Sequence, residues 1–265
     1  MSINYHRAIQ TFGRDLDRAG GETEELRPQI LVGCSGWQKS QAVYFHHFPL
    51  VEVQQTFYQP PMEKTAKRWR ESAPIGFEFT IKAYQLITHE PWIPTYRRSR
   101  LNIPRSQWDR YGSFRPTDEV RQAWQRTLDI ASILDASVIL FQCPPQFTPT
   151  QEHIHNFESF FKSIERGDRK LAWEPRGSWP ADLVTSLCRE FSLTHAVDPL
   201  IQVPLAGEFQ YFRLHGGVDY QYRYTREDLQ RLVPLLAGGK KTFTLFNNVA
   251  MWENGLMLRE MLSTS

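Results

Sequence analysis

Cysteine is scarce in this 265-residue chain: Cys34, Cys143 and Cys188 are its three, and no CxxC pair occurs among them. An odd number cannot be fully paired within one chain, so a complete disulfide framework is excluded and a reducing compartment suits the composition. Long apolar runs are missing too. None approaches the ~18 residues that a membrane span needs, and the opening MSINYHRAIQTFGRDLDRAGG lacks the apolar core of a secretion signal. The expected setting is the cytoplasm, with no membrane partner. Charge of one sign is likewise absent. Lys and Arg total 31 against 29 Asp and Glu, a formal net charge of +2, so global charge calls for neither nucleic acid nor an anionic surface. No glycine-rich phosphate loop opens a helix, Gly33 and Gly36 making only a fragment of one. His46 and His47 are adjacent, and His153 with His155 stand at i, i+2 on a helical pattern, which points them apart. No internal repeat or low-complexity stretch is visible.

What the chain does have is 41% hydrophobic residues over a length able to bury a large core. Eight short apolar or aromatic runs read as strands: 30–34, 50–54, 77–82, 138–142, 170–174, 193–197, 210–214 and 242–246. Several are near-continuous rather than alternating, as parallel strands covered on both faces are. Helical patterns fill most gaps, at 117–134, 151–164, 180–191, 225–236 and 249–262, with Thr150 and Glu152 forming an N-terminal capping neighbourhood. This alternation predicts an α/β fold, a single-domain (β/α)8 TIM barrel. An open doubly wound sheet is the alternative. The links after the first and sixth strands are short for full helices, so the barrel is expected to be irregular. Residues 1–29 read as an N-terminal extension, with a weak helical stripe of Ile3, Ile9, Phe12 and Leu16, and 30–265 as the barrel domain.

Residues 90–116, after the third strand, are the one long stretch without periodicity. Loops of that length inside a compact domain are often lids or binding segments. This one interleaves Arg97, Arg98, Arg100, Arg105, Arg110 and Arg115 with Trp92, Tyr96, Trp108, Tyr111 and Phe114. Basic residues among aromatics are the materials of a single-strand nucleic-acid grip, and equally of a solvated surface.

Reactive groups of TIM barrels sit where strands finish, because the following loops open onto one face. Reading only those ends collects Cys34, Ser35, Trp37, Glu52, Gln54, Tyr58, Lys82, His89, Gln142, Glu174, Arg176, Asp198, Arg213, His215, Asn247 and Asn248. The strand beginnings show no such concentration. Mixed charge of this kind can hold a polar, anionic small molecule and transfer protons. Glu174, His215 and Lys82 are the catalytic candidates, and Arg176 with Arg213 the anion clamp, since guanidinium grips carboxylate or phosphate through paired bonds. Gln142, Asn247 and Asn248 would orient the ligand, with Trp37 and Tyr58 as walls. The plainer reading is a layer of ion pairs that neutralise one another. A metal site assembled from Glu52, Glu174, Asp198, His89 and His215 is a further possibility by analogy with sugar-isomerase and DNA-repair barrels. No local spacing specifies one, and no metal ligands are assigned. Cys34 and Cys143 read as small buried hydrophobes.

Taken in order, the strand-end motifs resemble the YecE-like family, domain of unknown function 72: VGCSGW (32–37), VEVQQTFYQPP (51–61), FEFTIKAYQLITH (77–89), LFQCPP (140–145), WEPRGSW (173–179), AVDP (196–199), YFRLHG (211–216) and LFNN (245–248). The resemblance runs from strand one to strand eight and implies a TIM barrel without a settled activity. Its motifs fall on the residues collected above. The chain departs from it at Gln54 and Gln55, where the family usually carries asparagine, and at Cys34 and Cys143. The expectation is an enzyme of unassigned reaction, isomerase- or hydrolase-like by fold analogy alone. It would be monomeric and act on a sugar- or phosphate-like molecule, with no cofactor specified. The rival is a nucleic-acid-binding or -processing barrel working through residues 90–116.

Overall fold

The computed structural model describes residues 29–264 apart from positions 100 and 218. The expected extension up to residue 28 and its apolar stripe, together with Arg100, therefore lie outside the described residues. Eight parallel strands carry the fold: β1 (Ile30–Ser35), β2 (Leu50–Val53), β3 (Glu78–Lys82), β4 (Val138–Gln142), β5 (Lys170–Glu174), β6 (Leu193–His195), β7 (Gln210–Leu214) and β8 (Thr242–Phe246). They pair in the order β6-β5-β4-β3-β2-β1-β8-β7. The two ends of that row meet through a bridge between Val197 and Phe212, which leaves the barrel nearly closed.

Period-two alternation along each strand separates two apolar layers. Leu31, Leu50, Val138, Leu140, Ala172, Ala196, Phe209, Tyr211, Phe243 and Leu245 form one buried cluster, the lumen. Their outward neighbours, such as Val51, Phe79, Ile139, Trp173 and Phe212, belong to the larger cluster shared with the helices. Gly33 is required where β1 passes β2: a Cβ there would sit 2.1 Å from the Leu50 carbonyl oxygen.

The helices are α1 (Gln41–His47), α2 (Gln55–Tyr58), α3 (Glu63–Ser72), α4 (Gln85–Thr88), α5 (Asp118–Leu134), α6 (Gln151–Ser163), α7 (Ala181–Glu190), α8 (Arg226–Leu236) and α9 (Met251–Ser263). Side-chain caps start three of the long ones. Thr117 accepts from the Val120 amide, Thr150 from the His153 amide, and Thr225 exchanges bonds with Asp228 in a full capping box. The link after β1 holds only the seven-residue α1, and the link from β6 to β7 holds no helix.

Residues 90–116 are more ordered than their missing periodicity implies. Two short 3-10 helices, Pro94–Arg98 and Arg105–Arg110, lie within them. Backbone bonds from Gly112 to Leu86 and from Phe114 to Ile87, both 2.8 Å, lace the segment onto α4. Phe114 is fully buried among Phe141, Phe147, Phe157, Phe160 and Phe161. Gly112 has φ +75°, and a Cβ there would lie 2.4 Å from the His89 carbonyl oxygen, so this close approach also needs glycine.

Candidate functional site at the barrel mouth

The alternation that buries the lumen also decides which strand-end groups face inward. Glu52 follows Leu50, Lys82 follows Thr80, Gln142 follows Leu140, Glu174 follows Ala172, and Arg213 follows Tyr211, each two residues on. Arg213 is the hub. Its Nε and Nη2 reach the two oxygens of Glu52 at 3.0 and 2.7 Å, and its Nη1 reaches Glu174 Oε2 at 2.6 Å and Gln142 Oε1 at 3.0 Å. The Tyr211 hydroxyl donates to Glu52 Oε2 at 2.8 Å and lies 2.9 Å from Thr80 Oγ1. Gln54 donates to Glu52 Oε1. The Arg213 and Glu52 side chains are wholly excluded from solvent.

The other oxygen of Glu174 meets Arg176 Nε at 2.5 Å and His215 Nε2 at 3.0 Å. Burial alone would raise the Glu174 carboxyl, but Arg213, His215 and Arg176 hold it well below the usual carboxylate range. His215 is enclosed: Asn247 Nδ2 lies 3.1 Å from its Nδ1 and Arg176 Nη2 is 2.8 Å from Nε2. Burial pushes its pKa down, and the Glu174 carboxylate only partly offsets this. Asp198 accepts from the His215 amide, the Leu200 amide and the Tyr224 hydroxyl, which anchors the start of the β7–α8 loop.

Above this layer opens a cavity of about 600 Å³. Gln54, Phe57, Tyr58, Lys82, His89 and Gln142 line one side. Pro94, Thr95 and Arg98 come from the 90–116 segment, and Asp219, Tyr220, Gln221, Asn247, Asn248, Val249 and Met251 close the other side. Lys82 is the unusual group. It is 5% exposed, and among the described residues its Nζ has no hydrogen-bond or ion-pair partner, resting 3.6 Å from the centre of the Phe57 ring. Burial, and next the Arg213 charge, lower its pKa from 10.5 to about 7 against the pull of Glu52 and Glu174. His89 packs edge-on against the same Phe57 ring at 4.8 Å. Burial, then the Lys82 and Arg176 charges, keep its imidazole neutral, with its pKa well below 6.5. At the rim Arg98 donates to the Tyr58 hydroxyl at 3.2 Å.

Of the expected catalytic groups, only Lys82 faces the cavity directly; Glu174 and His215 lie beneath its floor, where Tyr220 meets the His215 ring edge-on at 5.6 Å. Of the expected binding groups, Tyr58, His89, Gln142, Asn247 and Asn248 line it, while Glu52, Arg176, Asp198 and Arg213 do not. Arg213, expected as part of the anion clamp, has its guanidinium engaged by two carboxylates. Trp37, expected as a wall, is not among the residues lining the cavity. Beyond Gly36, at φ +108°, it turns outward against Tyr44, Phe45, Trp69 and Phe79. Asn248 sits one residue out of phase with Asn247 and spends its amide on Tyr222 O and Asn254 Oδ1. Gln54 is among the strand-end residues collected from the sequence, whereas Tyr211 is not, although it stands two positions before Arg213 on the same strand face. Nor does local sequence carry a signal for Arg98 or Tyr220 individually.

Among the described residues, no group of three or more His, Cys, Asp or Glu is placed to hold a metal ion. The position between Glu52 and Glu174 is filled by Arg213. All three cysteines are buried, and burial pushes the Cys34 and Cys188 thiols up to about 12 and Cys143 still higher. No helix among the described residues is long and apolar enough to cross a membrane.

A nearly closed parallel barrel whose polar groups gather at the C-terminal ends of its strands defines a TIM-barrel protein with its candidate site at the usual mouth. The family model described as "Protein of unknown function DUF72" matches residues 31–264, and the chain belongs to that family. It is 24% identical over 285 residues to the UPF0759 protein YunF of Bacillus subtilis (strain 168), covering 88% of this chain and 94% of that one. Crystal structures of DUF72 family proteins share the fold. One from Enterococcus faecalis has TM-score 0.69 at 20% identity, covering 90% of this chain and 99% of its own, and one from Thermotoga maritima has 0.67 at 21%, covering 89% and 99%. A structure titled SacUVDE shares it more distantly, with TM-score 0.57 at 8% identity over 84% of this chain and 83% of its own.

Proposed function

We propose that the mouth cavity binds a polar, anionic small molecule of sugar- or phosphate-like character and that Lys82 exchanges a proton with it. The observation carrying this reading is the unpartnered Lys82 amine inside the cavity. Below it Arg213 and Arg176 balance Glu52 and Glu174. Lys82 and Arg98 are the two cationic groups lining the cavity, against the single carboxylate of Asp219, so the lining itself carries a net positive charge that favours an anion. An amine lowered to about 7 is present in both forms near neutrality, which suits a proton-transfer group. Gln142 and Asn247 supply orienting amides, and Phe57 with Tyr58 an apolar wall. Glu174, Arg176, Arg213, His215 and Asp198 act in this reading as the fixed frame that sets the field. Calorimetric titration with inorganic phosphate and phosphorylated sugars tests it. Binding should weaken at least tenfold in Lys82→Met and in Gln142→Leu, and unchanged affinity in both variants would refute it.

The second reading is a nucleic-acid contact along residues 90–116. Arg97, Arg98 and Arg105 are exposed, as is Trp92 at 49%, and Arg105 lies 5.4 Å over the Trp108 ring. Arg110 and Arg115 are engaged with Glu119 and Glu90, which reduces the free positive charge. Gel shifts on single- and double-stranded DNA and RNA at two salt concentrations test it, since phosphate contacts release counterions and weaken steeply with salt. No shift at micromolar protein and low salt would remove this reading.

A further inference from the structure

We infer that Lys82 acts as a nucleophile, its Nζ condensing with the carbonyl carbon of an aldehyde or ketone that also carries an anionic group. This inference rests on the proposed anion-binding cavity and goes a step beyond proton exchange, since it names both the substrate class and the covalent step.

The geometry favours attack over a pure proton-transfer role in three ways. First, a lysine that serves structure normally spends its donors on acceptors, whereas this Nζ has no acceptor among the described residues and rests against the Phe57 ring. Second, the cysteines do not compete: all three are buried and two of them are engaged, Cys34 with the Met251 carbonyl and Cys143 with Trp173 Nε1. Third, the carboxylates beneath are locked by Arg213 and so cannot capture the amine in an ion pair. A desolvated lysine beside another cation is a recognised route to an activated amine, and its lowered pKa here agrees with that arrangement.

The step balances without any further reactant. The neutral amine attacks the carbonyl carbon, the C=O π bond breaks, and the oxygen takes up the proton that nitrogen gives up, forming a carbinolamine. That hydroxyl takes the second proton carried by nitrogen and leaves as water as the C=N bond forms, giving a neutral imine that one proton from solvent converts to the iminium. The resulting iminium withdraws electrons from the adjacent carbon and so loosens the bonds to it. His89, neutral and packed on the same Phe57 ring, is the neighbouring group able to relay these protons. Gln142 and Asn247 lie at the cavity wall to hold the substrate's polar atoms.

Reductive trapping tests the inference. Pyridoxal 5′-phosphate and glyoxylate, two carbonyl compounds bearing anions, are added to the full chain at pH 7.5 with cyanoborohydride, and adducts are mapped by peptide mass spectrometry. Binding of the same probes without reductant is measured in parallel. The expected result is an adduct on Lys82 forming at least tenfold faster than on exposed Lys39, Lys64 or Lys67, and absent from Lys82→Met, whose fold is checked by circular dichroism. Saturable probe binding that weakens in Gln142→Leu, without a Lys82 adduct, would overturn the imine step and leave the anion-binding reading standing. Adducts on exposed lysines alone, with no saturable binding, would overturn both.

Discussion

Replacing Lys82 by methionine should make the protein more stable at neutral pH, an unusual outcome for a buried charged residue. The folded chain releases the Lys82 proton near pH 7, whereas the unfolded chain holds it up to the ordinary lysine value of 10.5. Between those values the unfolded state binds more protons, so the Lys82 contribution to stability rises with pH across that window. At 1.36 kcal/mol per pH unit, the penalty for burying this amine is roughly 4 kcal/mol at pH 7 and falls to about 1 kcal/mol at pH 9.5. Methionine keeps the unbranched stem and the contact with the Phe57 ring, and carries no proton. Water in the cavity will lessen the penalty, so the expected net gain for Lys82→Met is about 2–4 kcal/mol at pH 7. Urea unfolding of both proteins at pH 7 and pH 9.5 gives the answer, because every other titrating group is common to the pair and cancels. The gain should shrink by roughly 3 kcal/mol between the two pH values. A loss of stability at pH 7, or a difference that is the same at both, would show that Lys82 is a satisfied structural cation, and the functional proposals would lose their footing.

The Arg213 hub makes the opposite prediction. Arg213→Met strands two buried carboxylates and should cost about 3–5 kcal/mol in urea unfolding, with part recovered when Glu52→Gln and Glu174→Gln are added. Glu174 is held below its ordinary value of 4.5 in the folded chain, so its stabilisation is complete above that pH and drains away as pH falls beneath it. Stability of the wild type should therefore drop more steeply between pH 5 and pH 3 than that of Glu174→Gln. Gly112→Ala places a Cβ against the His89 carbonyl at a left-handed φ, costing on the order of 1–3 kcal/mol. Limited trypsin digestion should then cut faster after Arg97, Arg105 or Arg110. Finally, an anion bound beside Lys82 should raise its pKa, so phosphate titrations at pH 8 should take up a fraction of a proton, read as a dependence of the calorimetric heat on buffer ionisation enthalpy.

Much of this barrel was legible because strand chemistry repeats. All eight apolar runs became strands within a residue or two, and five helical stretches matched α5 to α9 closely. The strand-end rule brought Glu52, Gln142, Glu174, Arg213, His215 and Asn247 together because each continues the inward phase of its strand. The exceptions come where that phase ends. Asn248 is one residue out of phase yet still lines the cavity, and Trp37 lies past the turn at Gly36, in contact with Tyr44 and Trp69. Residues 90–116 looked irregular because their order depends on isolated anchors, Tyr96, Gly112 and Phe114, rather than on a stripe with a period. The missing helix between β6 and β7 agreed with the short link, where Ala206 O bonds the His195 amide and the chain runs directly back.

The sequence alone did not distinguish the cation that is spent from the one that is free. Arg213 and Lys82 both stand at inward strand ends, and composition treats them alike. Their difference follows from shape. A planar guanidinium presents donors in several directions at once, so Arg213 can satisfy both oxygens of Glu52 while also reaching Glu174 and Gln142. An ammonium at that position would leave acceptors unmet. Arginine also keeps its proton at any working pH, which gives the floor of the cavity a charge that does not change. Lys82, shorter in reach for those carboxylates and pressed against an aromatic ring, is left as the buried cation whose charge can change near neutrality. The frame and the responsive group are therefore two different residues, and a chemical role at this mouth falls to the second because the first has no capacity left for a ligand.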